Sequence, residues 1–177
     1  MIVNCINYIL IEMIVEGVDG ILIVLIVSSA ITDIKHQKIY NHQTYSAMLL
    51  GLILNSIMTN NGLVFSLSGL SVCFALLFPF FLCDGMGAGD VKLLAAIGAL
   101  KGTMFVMQTI YYAALIGGCM AVSLLIWQEN LWVTVKNSTA LLWHPIKTSK
   151  ILKSENPQYL PFGVAISIGC AWVLIGG

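Results

Sequence analysis

Two aspartates stand where a carboxylate is costly. Asp33 and Asp90 each abut a hydrophobic stretch, and an ionisable group beside or within a membrane helix is a functional hypothesis by default. The other six of the eight acidic residues have simpler explanations. Glu12, Glu16 and Asp19 sit at a membrane edge, Glu129 and Glu155 bound a polar region, and Asp84 opens a turn. Two carboxylates held close together cannot both ionise easily, so their titrations separate and they share a proton. The ionised member then takes a proton from water while the protonated one polarises a scissile carbonyl. That is aspartic-protease chemistry, and it needs no metal, no cofactor and no covalent intermediate. For a single aspartate at a helix end, snorkelling to the interface beside Lys35 or Lys92 explains as much.

Other chemistries lack their residues. His36, His42 and His144 show no HExxH spacing, and no GxSxG occurs. Cys5, Cys73, Cys83, Cys119 and Cys170 fall singly, with no CxxC pair, and read as packing residues among helices. Ser28 and Ser29 lie in an apolar stretch, where packing and helix–helix hydrogen bonds are the expected roles. Asp90 ends an alternating glycine turn, Gly85-Met86-Gly87-Ala88-Gly89-Asp90. Such a turn permits close approach of another backbone, and it places Asp90 at the start of a helix, where its side chain could cap free amides.

The elements that must carry these residues are membrane helices. Hydrophobic residues make up 59% of the 177, and charged ones only 9% against about 25% in soluble domains. No Lys, Arg, Asp or Glu lies between Lys38 and Asp84, between Lys101 and Glu129, or after Glu155. A span needs roughly 20 apolar residues. The sequence predicts an all-α polytopic membrane protein, a single domain over 1–177, with about six segments: 15–32, 39–58, 63–83, 91–100, 103–127 and 160–175. The fourth is short, about 15 Å long at the helical rise, and is expected to pack inside the bundle. The polar stretch 129–158 is expected to form a cytoplasmic interfacial loop with a surface helix broken at Pro145. The first residues lack a basic n-region, so no cleavable signal peptide is expected.

Charge sets the orientation. With alternating spans, Lys35, Lys38, Lys92, Lys136, Lys147, Lys150 and Lys153 fall on one side and Lys101 on the other. The positive-inside rule makes the first side cytoplasmic, puts the N-terminus outside, and places Asp33 and Asp90 at the cytoplasmic face. Net charge is zero, and no nucleic-acid partner is expected.

Three patches together resemble the bacterial type IV prepilin peptidases, membrane aspartic peptidases of the GxGD type. Asp33-Ile34-Lys35-His36-Gln37-Lys38-Ile39-Tyr40-Asn41 resembles the family's first catalytic aspartate with its basic loop and Ile-Pro-Asn. The run from Gly85 to Ala99 resembles the second motif almost throughout. Leu160-Pro161-Phe162-Gly163 resembles the element that opens the last helix. The resemblance implies that Asp33 and Asp90 are the catalytic dyad, with Gly87, Gly89, Lys92, Asn41, Pro161 and Gly163 in support. Gly87 and Gly89 would let substrate backbone approach Asp90, and Lys92 would orient the site or meet an acidic group. It implies no metal or cofactor, a bacterial cytoplasmic membrane location, and a pilin-like precursor as substrate, cut behind a short basic leader. Tyr40 replaces the family's proline, so a looser loop is expected. Bifunctional members carry an N-terminal insert with paired cysteines; without one here, cleavage without N-methylation is expected.

The same two aspartates would also suit a non-catalytic assembly subunit or an ion- or proton-translocating protein. A presenilin or signal-peptide-peptidase type of protease would place Tyr before the first aspartate, where Thr32 stands.

Overall fold

The computed structural model describes residues 2–58, 61–83, 86–127 and 161–176. Its elements are α1 (Ile2–His36), α2 (Asn41–Met58), α3 (Gly62–Leu82), α4 (Ala88–Trp127) and α5 (Phe162–Gly176). The expected interfacial segment at 129–158 lies outside the described residues, as do Asp84 and Gly85. Residues 1–116 and 161–177 form one compact unit, which holds both aspartates. In the second, 117–160, the described part is the helical stretch 117–127.

Among the described residues every element is a helix, and the apolar helices mark a membrane protein. Three stretches among the described residues, against about six segments expected, are long and apolar enough to cross a bilayer: Val15–His36, Gly62–Leu82 and Ala88–Ser123. The last of these merges the expected fourth and fifth segments, but Gly102 interrupts it at φ 79°, ψ −175°. That positive φ is open to glycine and strained for other residues. Beyond Gly102 the helix turns back. Leu94 and Met86 line one cavity together with Ile110, Ala113 and Ala114, whereas a straight helix would hold Ile110 about 24 Å from Leu94.

The 88–101 arm is the centre of this unit. Every residue from Leu93 to Leu100 is buried, the pattern of a helix apolar on all sides and packed by neighbours all round. Close packing there depends on small residues. A Cβ on Gly98 would lie 2.7 Å from the Gly69 carbonyl oxygen, so α3 and α4 cross backbone against backbone. Polar groups tie the same crossing. Asn55 Nδ2 donates to Ser66 Oγ at 2.8 Å and to the carbonyls of Ala99 and Leu100 at 3.1 Å each. The last carbonyls before a helix break lack intrahelical donors, and Asn55 supplies one from α2. At the end of the arm Lys101 pairs with Asp19 of α1.

Candidate functional site

Asp33 lies in the last turn of α1, one residue beyond the expected end of the first segment. The helix closes just after it: the Gln37 amide donates to the Asp33 carbonyl at 2.9 Å, with Gln37 left-handed at φ 52°. Asp33 is 8% exposed on the face that packs against α5. The amides of Gly163 and Val164, opening α5, approach its carboxyl. Even so, Oδ2 has no hydrogen-bond partner among the described residues. Gly163 is the reason the approach is possible. A Cβ there would stand 2.7 Å from Asp33 Oδ2 and 3.0 Å from its Cγ. Pro161 begins this corner, its carbonyl accepting from the Val164 amide at 3.2 Å.

Asp90 sits in the first turn of α4, its amide donating to the Gly87 carbonyl at 3.1 Å. The Gly87 amide faces its carboxyl, and a Cβ on Gly87 would come within 3.0 Å of Asp90 Oδ2. The two carboxylates are within Coulombic reach of each other. Three helix ends therefore meet here: the C-terminus of α1 and the N-termini of α4 and α5. Asp33 and Asp90, 57 positions apart in sequence, arrive on two of them.

The supporting residues divide. Gly163 and Gly87 touch the aspartates directly. Gly89 does not face open space for a substrate backbone: a Cβ there would meet the Ile39 side chain at 3.1 Å. Its role is to seat the α1–α2 loop against the glycine turn. Lys92 meets neither aspartate. Its Nζ donates to Asn41 Oδ1 at 3.0 Å and lies 5.4 Å from the Tyr45 ring centre, a cation–π contact that ties the starts of α2 and α4. Asn41 and Lys92 thus act as a pair. Lys35, His36 and Lys38 are exposed around the rim.

Tyr40 stands in the loop between α1 and α2. Its ring packs edge-on against His36 at 6.2 Å, and its carbonyl accepts from the Gln43 amide at 3.1 Å. Tyr45 escaped the sequence reading, and Ile39 entered it only as part of a motif, because their partners Lys92 and Gly89 lie about 50 residues away.

A helical membrane protein with two aspartates at converging helix ends, Asp33 buried and Asp90 half-buried, is the class this fold and site define. A family model described as the type IV leader peptidase family matches residues 20–122. The chain belongs to that family. Comparisons with curated proteins and with solved structures returned no match.

Proposed function

We propose that this protein is an aspartic endopeptidase of the bacterial cytoplasmic membrane that removes the short leader from type IV pilin-like precursors at the cytoplasmic face. Asp33 and Asp90 are its dyad. The observation that carries this is their convergence: two aspartates from distant segments, each beside a glycine that makes room for its carboxyl, within Coulombic reach of each other. A merely snorkelling aspartate would pair with a lysine. The nearby Lys92 is instead engaged by Asn41 and Tyr45.

In this mechanism one carboxylate accepts a proton from water as the water attacks the scissile carbonyl. The other, protonated, donates to the carbonyl oxygen and stabilises the tetrahedral intermediate. Collapse returns a proton to the leaving amine and restores the shared-proton state. The amides opening α5 help to hold Asp33 in place. Lys92, Asn41 and Tyr45 fix the entry of α4 relative to α2, and so the position of Asp90.

Orientation and substrate follow from the same proposal. Lys35, Lys38 and Lys92 lie at the end of the bundle that carries the dyad, and Lys101 lies by Asp19, near the opposite end of the Val15–His36 span. The positive-inside rule then makes the dyad cytoplasmic.

The test is co-expression with candidate precursors, followed by mass spectrometry of the new N-terminus. The expected product is a pilin-like chain cut at the start of its hydrophobic helix with a free α-amine. Full-length precursor in cells producing the wild-type protein, with every candidate tried, would refute the peptidase proposal. Processing unchanged by Asp33→Asn would favour an ion- or proton-binding role for the pair.

A further inference from the structure

The hydroxyl of Ser29 is unexplained by packing. Ser29 is fully buried, yet its Oγ has no hydrogen-bond partner among the described residues. Hydroxyls around it behave differently. Ser28 and Thr32 donate to carbonyls three residues back, at 3.1 Å each. Ser167, across the seam on α5, donates to the Ile26 carbonyl at 3.0 Å and to the Gly163 carbonyl at 2.8 Å. A buried donor left unpaired is costly and calls for a partner outside the resting protein contacts.

That partner lies one helical turn away. Ser29 precedes Asp33 by four residues, so both side chains share a face of α1, with Cβ atoms about 5–6 Å apart. Asp33 Oδ2 is itself buried and unpartnered. An orphaned donor and an orphaned acceptor thus lie one turn apart on the same face of α1.

We propose that Ser29 is a positioning residue for Asp33: its hydroxyl donates to Oδ2, directly or through one water, and holds the carboxyl for catalysis. Ser29 itself touches neither substrate nor the scissile bond. This inference rests on the catalytic role given to Asp33.

The experiment uses the full chain in lipid vesicles with purified precursor, measuring kcat and KM across pH. Ser29→Ala removes one oxygen and leaves the seam's volume almost unchanged. It is expected to lower kcat about 10- to 100-fold, the worth of a hydrogen bond to a charged group, with KM nearly constant. One limb of the pH–kcat profile moves with it, and Ser29→Thr, which keeps the hydroxyl, restores most of kcat. Ser28→Ala is the control, since that hydroxyl bonds within its own helix, and should match wild type. If Asp33→Asn is inactive while Ser29→Ala matches wild type, the positioning role is overturned and the dyad stands. A fall in kcat with an unmoved pH profile and no rescue by threonine also overturns it, because packing alone would do that. If Asp33→Asn retains activity, the dyad and the role of Ser29 fall together.

Discussion

Replacing Gly163 with alanine drives a methyl group against the Asp33 carboxyl. The new Cβ would lie 2.7 Å from Oδ2, 3.0 Å from Cγ and 3.2 Å from Cβ of Asp33. Ordinary van der Waals contact begins near 3.4 Å, so either the carboxyl or the start of α5 must give by about 0.7 Å. Both partners are constrained. Asp33 is in the last turn of a helix, and α5 is held by Ser167 against Ile26 and by Gly169 against Ala113. Overpacking of this kind costs about 1–3 kcal/mol of stability. Its effect on chemistry is larger, since a misplacement near 1 Å costs on the order of a hundredfold in rate. Cleavage of purified precursor in vesicles should show kcat reduced about 10- to 100-fold, with KM little changed. Gly20→Ala serves as the comparison: no atom lies within 4 Å of a Cβ there, and activity should be retained. A Gly163→Ala enzyme that folds and cleaves at the wild-type rate would refute the placement of Asp33 against α5.

Other consequences are equally open to measurement. Asn55→Ala strips the donor from the Ala99 and Leu100 carbonyls; it should lower thermal stability in detergent by about 0.6–1.7 kcal/mol, the range for hydrogen bonds between membrane helices. Gly98→Val forces a branched side chain into the Gly69 backbone and should abolish folded protein, read as loss of the monodisperse peak on gel filtration. Lys92→Met keeps most of the stem but loses the Asn41 bond and the contact with Tyr45; kcat should fall a fewfold, whereas total loss would mean that the ammonium acts directly. The pH dependence of kcat should be bell-shaped, because a dyad sharing one proton works only between its two titrations. A rate rising steadily into alkaline pH would count against it.

Much of this was legible in the sequence. The charge-free stretches announced the membrane helices, and the short fourth segment foretold a buried arm that ends at Gly102. Asp90 was marked by its glycines. Asp33 was marked by its place at the end of a hydrophobic run, and Gly163 by a short motif. The missing parts share one physical origin, since each depends on contacts across the bundle. Nothing local says that Gly89 faces Ile39 rather than substrate, or that Lys92 reaches for Asn41 and Tyr45 instead of a carboxylate. Ser29 looked like one more small residue in an apolar helix. Its spacing of four from Asp33 was visible, but its burial without a partner was not. Asn55 carries no local sign of its role, which depends on the break of α4 beside it.

The dyad itself is tested most directly by a double-mutant cycle. Asp33→Asn, Asp90→Asn and the double variant, each reconstituted in vesicles with precursor, would be assayed for cleavage under single-turnover conditions. Groups that act as one unit are strongly non-additive, so each single variant should lose on the order of a thousandfold or more, and the double variant scarcely more than either. Losses that multiply, or a single variant that still cleaves at a rate near wild type, would contradict a shared two-carboxylate site.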